Sequence, residues 1–505
     1  MKQLILITLF VLTVIGFHSA VAQQKTTVQK SYLQARDVLD AGVKAMGGID
    51  ELQKLNDVTR EMSGVRSDEG QGAKPVWPRV AEPPATNHPH LKSVRDIKGG
   101  RAYDEIEDVI FGGQPIKFRS ALAGNAAFSV SETSKNIRVL PPPAVNNARA
   151  SRFRRYPESL LLTASFRPET LRWIGEEEFG GRKQKVISFS DTDGTQVAMY
   201  FDDTTHLLSK TEFPVDDQIF GDVVAETVYA DWRPVEKVVL PFRYTDRFAG
   251  SVQQDLRATS ITLNTHPADS LFAMPEGYGK VDPPPQAPTV KKLADDVYAV
   301  LSGYNSLVVA FNDYILVVEG GGNNRATTAA IAEIKKAVPN KPIRYLVSTH
   351  FHFDHLSGVR SYVAEGTTIV TTPTAKSIIE QAVNANHAMR PDTLSANPKP
   401  AVIETMTDAK RVFDDGTHRL ELYRFKSPHV DEMIVAYLPK EKVLLEADML
   451  DIPEAGNPTP GDDTVDLLSQ IEKLGLNVET IIPVHGRIGT ITDLKTAVTT
   501  KISMK

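Results

Sequence analysis

The sequence has no cysteine among its 505 residues. That absence excludes disulfides, thiolate zinc sites, cysteine nucleophiles, iron–sulfur clusters and a lipidated N-terminal cysteine. It also lacks an excess of positive charge: Lys+Arg is 57 against Asp+Glu 63, a net charge of −6. A general binder of nucleic acid or of anionic membranes needs such an excess to neutralise phosphates, so neither is expected as a partner. After residue 17 no apolar run is long enough to span a bilayer. What is present is ordinary: 41% hydrophobic and 24% charged residues, which excludes disordered and collagen-like classes. The length suggests about three domains or two large ones.

Lys2 supplies a short positive region, Leu4 to Phe17 is mostly apolar, and Ala20-Val21-Ala22 matches a small-x-small cleavage pattern. This predicts an export signal over residues 1–22 and a soluble mature chain, periplasmic or secreted, with no stable membrane insertion. Asp282-Pro283-Pro284-Pro285-Gln286-Ala287-Pro288 is stiff and polar. It predicts a linker over 282–289 between an N-terminal β-rich domain, 25–281, and a second domain, 290–505.

In the first half, Ala35, Val38, Leu39, Val43 and Met46 recur at helical spacing, predicting a helix from Tyr32 to Met46 that stops at Gly47-Gly48. Residues 60–150, with prolines at 75, 78, 83, 84, 89 and 141–143, follow no clear pattern. From Leu171 onward apolar residues alternate, with turns at Thr192-Asp193-Gly194 and Ala249-Gly250-Ser251, predicting an antiparallel sheet with a packed helix. Ser151 to Tyr156 mixes basic and aromatic residues and is expected to be a solvated strand face. In the second half strands and helices mix. Ile343–Ser348 is a buried strand, Arg325 to Val338 a helix, and Gly320-Gly321-Gly322 a strand-to-helix turn without the Gly-Lys-Ser/Thr of a phosphate loop.

The chemistry lies at strand ends. His350-Phe351-His352-Phe353-Asp354-His355 places four metal-ligand types within six residues, directly after a buried strand. Extended alternation sends His350 and His352 to one side, and the phenylalanines help exclude water. Downstream, His429 follows the strand Leu420–Phe425, Asp448 follows Lys442–Glu446, and His485 ends Thr480–Val484. Each alone reads as a satisfied polar residue; together they read as a ligand set.

HxHxDH followed by a lone His, a strand-terminal Asp and a further His resembles the metallo-β-lactamase superfamily over residues 290–505. The resemblance implies an α+β protein whose second domain is an αββα sandwich with a two-metal site. By that pattern His350, His352 and His429 hold one zinc, Asp354, His355 and His485 the other, and Asp448 bridges. Glu319 stands where the family has a strand-end Asp, Pro428-His429-Val430 where Gly-His-Thr is common, and Ala447 where a Gly precedes the bridging Asp. The implied activity is hydrolysis of an ester, lactam, lactone or thioester in a small-molecule substrate by a metal-bound hydroxide, with Asp354 orienting the hydroxide and passing a proton to the leaving group.

Two rivals use the same residues: a mononuclear-iron persulfide dioxygenase, which needs only part of the ligand set, and a binding protein with an idle metal site. The segment Thr227-Val228-Tyr229-Ala230-Asp231-Trp232-Arg233-Pro234, together with the helix ending at Gly47-Gly48, loosely resembles periplasmic lipoprotein-carrier proteins and implies a groove for an apolar ligand. Loops 385–400 and 451–463 are expected to set selectivity, the first as a lid over the metals.

Overall fold

The structure is a computed structural model. It describes residues 25–110, 114–132, 135–281, 287–454 and 456–503. The export signal and most of the proline-rich joint lie outside the described residues.

The N-terminal half is built on one sheet of fourteen strands. The order runs from Gly279–Val281 at one edge, back through the strands between Asn136–Val139 and Asp57–Arg66, then from Ser251–Leu263 back to Arg172–Phe179 at the other edge. Every pairing is antiparallel except Gly279–Val281, which runs parallel to Asn136–Val139. The helix Thr27–Ala45 starts five residues earlier than periodicity predicts, because Thr26 and Gln29 close a reciprocal cap. Its Ala35, Leu39 and Val43 bury against Val58, Met62, Phe201 and Leu240 of the sheet, and a second helix, Pro157–Ser165, joins the same core. Gly42 permits the close approach, since a Cβ there would overlap the Phe201 ring.

The stretch 60–150, unpatterned in sequence, is six strands' worth of sheet followed by the helix Pro142–Arg154. Its alternation is hidden because buried positions are polar. Arg60 is fully buried, donating to Glu158 at 2.7 Å and to the Tyr244 hydroxyl at 3.1 Å. Arg95 is buried on Asp104 at 2.9 Å. Such charges enter a core only as pairs, so their sequence signal is that of surface. The expected solvated strand face at 151–156 is instead helix end and core. Arg154 and Tyr156 are buried, and Arg154 pairs with Asp191 and Asp193.

The C-terminal half is two sheets sharing one core. A seven-stranded sheet takes Thr289–Ala294, Val297–Leu301, Ser306–Ala310, Ile315–Val318, Ile343–Val347, Thr368–Thr371 and Val402–Thr405 in chain order. A six-stranded sheet runs from Lys410–Asp414 to Gly489–Thr490. Ile315–Val318, Met433–Leu438 and Val443–Glu446 are buried along their whole length, as strands covered on both faces must be. Helices Asn324–Ala337, Val359–Glu365 and Pro373–Asn384 pack on the first sheet, and Asp462–Lys473 and Ile491–Ser503 lie beside the second. This is the expected αββα arrangement preceded by an antiparallel β domain. Among the described residues no helix is long and apolar enough to cross a membrane.

The halves interlock. Ile219, in the turn between Leu208–Asp217 and Gly221–Val235, is 1% exposed and belongs to the C-terminal core. Phe220 packs edge-on against Phe353 at 5.5 Å. The loop 385–400, expected as a lid, is tied into this interlock and to the body of its own domain. Asn386 O accepts from Asp222 N at 2.6 Å, His387 Nδ1 lies 2.8 Å from Asp216, and Asp222 accepts from the Ala388 and Met389 amides. Buried Arg360 donates to Asp392 and to the carbonyls of Ala382, Val383 and Ala385.

Candidate metal centre

Five strand ends converge on one point. Glu319 follows Ile315–Val318 and His350 follows Ile343–Val347 in the first sheet; His429, Asp448 and His485 follow Arg419–Phe425, Val443–Glu446 and Thr480–Pro483 in the second. Local devices fix each turn. The Ser427 hydroxyl accepts from Val430 N and Ser427 N donates to Val430 O, closing the turn that carries His429. Glu446 accepts from the Met449 and Leu450 amides across Asp448, which takes the left-handed φ of 61° that Asp tolerates. Asn305 Nδ2 donates to Pro483 O and Gly486 O, pinning the loop of His485.

All seven sequence-predicted residues come together. His350, His352, His429 and Asp448 form one group of converging ligand atoms; Asp354, His355 and His485 form a second, the atoms of each lying within 4.8 Å of one another. Asp448 joins the groups. Its Oδ2 is 3.0 Å from His355 Nε2, 3.2 Å from His429 Nε2 and 3.7 Å from His350 Nε2, while Oδ1 is 3.1 Å from His485 Nε2.

The outer ring nitrogens are engaged away from the centre. His355 Nδ1 donates to Glu319 at 3.0 Å, His350 Nδ1 lies 2.9 Å from the Thr349 hydroxyl, and His352 Nε2 donates to Gly72 O at 3.0 Å. A carbonyl can only accept, so His352 carries its proton on Nε2 and turns the Nδ1 lone pair inward, 3.1 Å from His429 Nε2. His350 Nε2 is buried with no hydrogen-bond partner. A buried polar atom left unpaired is costly, and lone pairs converging from several imidazoles and a carboxylate are what a cation satisfies. The donor set therefore fits metal: nitrogen and carboxylate oxygen, with His350, His352 and His355 each backed by an outer partner.

The imidazoles of the metal-free site divide by charge. Burial, with the neighbouring His355 and His352, drives His350 well below the usual imidazole range, leaving it neutral as a ligand must be. Burial alone would raise Asp448, but His355 and the surrounding imidazole contacts hold it well below the usual carboxylate range. Burial opposes a charge on His355, but Asp448 and Glu319 hold it well above its ordinary value. Asp448 likewise raises His485 against burial, so the metal-free site carries protons there that a cation has to displace. Asp354 is likewise lowered; burial opposes this, and His355 and Gln71 prevail.

Three contributors escape sequence reasoning. Tyr304 OH donates to Asp354 Oδ2 at 3.2 Å, and its ring lies edge-on to His485 at 4.7 Å. Gln71 Nε2 donates to Asp354 Oδ1 at 2.6 Å, and Gly72 O holds His352. Both of these come from the proline-broken stretch of the first half, where no spacing links them to the motif. Glu319, noted in sequence as a family variant, is the fully buried partner of His355 and of Thr349 N.

Residues 300–485 match the sequence model of the Metallo-beta-lactamase superfamily. Among solved structures, the metallo-beta-lactamase from Pontibacter korlensis is similar at 18% identity, covering 43% of this chain and 100% of its own, with a TM-score of 0.34. FIM-1 from Pseudomonas aeruginosa, in a mono-zinc form, matches at 17% identity over 44% of this chain and 98% of its own, TM-score 0.34. The enzyme from Hirschia baltica matches at 17% over 43% and 98%, TM-score 0.33. The ligand motif in order, the paired sheets and the matched segment together make residues 300–485 a domain of the metallo-β-lactamase superfamily, with a His/Asp cluster that fits a metal-dependent hydrolase.

Proposed function

We propose that the protein is an exported hydrolase that holds two zinc ions and cleaves an ester, lactam, lactone or thioester bond in a small substrate. The observation that carries this is the pair of ligand groups meeting at Asp448, three histidines on one side and Asp354, His355 and His485 on the other. A centre for a single iron would need two histidines and a carboxylate, and would leave the second group without a task. Bound zinc would supply Lewis acidity, polarising a substrate carbonyl and making water acidic enough to attack near neutral pH.

The chain's own residues do the rest. Asp354, kept ionised at neutral pH, is the group that orients the attacking water and returns its proton to the leaving group. Its two oxygens are held by Gln71 and Tyr304, so its direction is set before substrate arrives. His485 and Asp354 are the ligands most open to solvent, with 34% and 30% of their side chains exposed, and mark the side from which substrate enters. Phe351 and Phe353 line the turn of the motif; Phe351, 1% exposed, shields the ligands from bulk water.

The test is metal analysis by mass spectrometry of the purified chain, with a panel of β-lactam, lactone, thioester and phosphodiester substrates and His352→Ala as blank. About two zinc per chain, and turnover of at least one acyl substrate that the blank loses, is the expected result. Protein that carries no firmly held metal, or turnover equal in the blank, overturns the proposal.

A further inference from the structure

We propose, resting on the two-zinc reading above, that the segment Gly70–Lys74 of the N-terminal half completes the metal centre, with Gln71 as a positioning residue for Asp354. The segment touches one member of each ligand group. Gly72 O accepts from His352 Nε2 at 3.0 Å, and Gln71 Nε2 donates to Asp354 Oδ1 at 2.6 Å, across 280 and 283 positions of chain. Each contact decides an orientation. The first fixes which nitrogen of His352 is a lone pair facing the cluster. The second occupies Oδ1, leaving Oδ2, which accepts from Tyr304 OH at 3.2 Å, on the side of His355 Nε2, 3.7 Å away.

The segment is clamped on both flanks. Phe353 N donates to Gly70 O at 3.1 Å, and Asp431 N donates to Ala73 O at 3.0 Å, with Lys74 Nζ 3.3 Å from the Asp431 carboxylate. Phe353 stands between His352 and Asp354, and Asp431 two residues after His429. Gly70 allows the fit, because a Cβ there would overlap the Phe353 ring. Behind it, Glu69 accepts from Arg79 at 2.9 Å and Arg79 covers the Phe220 ring at 4.2 Å, so the segment rests on a fixed base. The first half thus supplies part of the outer layer, beside Glu319, Thr349 and Tyr304, of a centre whose inner layer belongs to the second.

The experiment uses the full-length chain stripped by chelation, titrated with zinc against a chromophoric chelator and with cobalt followed by its visible absorption. Gln71→Ala and Gln71→Met, whose side chain is of similar length but has no N–H to donate, are each expected to weaken one of two binding steps by about 10- to 100-fold, with an altered cobalt spectrum and the other step unchanged. Gly70→Val, which forces the segment off Phe353, is expected to weaken both steps. The thermal midpoint of the metal-free chain should stay at the wild-type value for both Gln71 variants. Gln71 variants that keep both affinities overturn the inference, as does higher turnover at unchanged affinity, which would make the segment an obstructing lid. So does rescue by Gln71→Met, or loss of both steps with a lowered metal-free midpoint, either of which would mark simple packing. A wild-type chain that takes up no zinc overturns the two-zinc reading together with the clamp; wild-type uptake of two zinc with indifferent Gln71 variants overturns the clamp alone.

Discussion

Ile219→Ala tests whether the halves are one energetic unit. Ile219 belongs by sequence to a turn of the N-terminal sheet, yet at 1% exposure it is part of the C-terminal core. The turn is rigid: Asp217 accepts from the Ile219 and Phe220 amides at 2.8 Å, and Asp222 N donates to Asn386 O at 2.6 Å. The site therefore has little freedom to collapse around a smaller residue. Truncation of a fully buried isoleucine costs about 2–5 kcal/mol, lost transfer energy plus cavity. Taking about 3 kcal/mol, and about 2–4 °C per kcal/mol for a domain near this size, the transition that disassembles the metal domain should fall by about 6–12 °C. The assay is calorimetry of the zinc-loaded chain with a fluorescent zinc chelator reporting release. Val224→Ala, at a position 40% exposed on the following strand, is the control and should shift stability by no more than about 0.5 kcal/mol. If zinc release keeps its midpoint in Ile219→Ala while only an N-terminal transition moves, the interlock carries no stability and the argument is wrong.

Further outcomes follow from the same contacts. Arg360→Met removes the partner of Asp392 and the donor to three carbonyls, and should destabilise by about 3–5 kcal/mol with earlier proteolysis within 385–400. In the wild type, burial opposes but Arg360 and the Ser395 amide hold Asp392 well below the usual carboxylate range. A depressed folded value gives stability that is present above the unfolded value of about 3.9 and lost as pH falls below it, so chemical denaturation from pH 5 to 2 should show a gentler acid slope in Arg360→Met. Glu319→Ala strips His355 Nδ1 and Thr349 N of their acceptor, and should weaken zinc by about 10- to 100-fold in chelator competition. Gly42→Ala gains about 0.5–1 kcal/mol of helix propensity but drives a methyl into the Phe201 ring, an overpacking cost of about 1–3 kcal/mol; the net should be destabilising in urea melts, and a stabilised variant would refute the close approach.

Much of the site was legible because it is local. Six consecutive residues at one strand end hold four ligands, and backbone geometry over so short a span leaves them few ways to point. The three distant ligands were legible through a different signal, each the polar residue that ends a short apolar strand, and the buried strands Val443–Glu446 and Thr480–Pro483 lie where their hydrophobic runs predict. The first half was less legible, because Arg60, Arg95, Glu158 and Asp104 are inside and paired, which no hydropathy pattern distinguishes from surface. The anchoring of 385–400 was illegible for a related reason: a long polar loop carries no mark of the buried Arg360 and the neighbouring turn that hold it.

The amino-acid order by itself determined the strands and helices of the second half and the ligand chemistry of seven side chains, since hydrophobic periodicity and residue type act over a few positions and need no knowledge of the rest of the chain. The αββα assembly came only as what the family resemblance implies. Tertiary structure alone decided that Gln71, Gly72 and Tyr304 stand behind those ligands and that Ile219 sits in the other half's core. Those are contacts between segments up to 283 positions apart. They are selected by the packing of two finished sheets against each other, and no property of either segment announces the meeting.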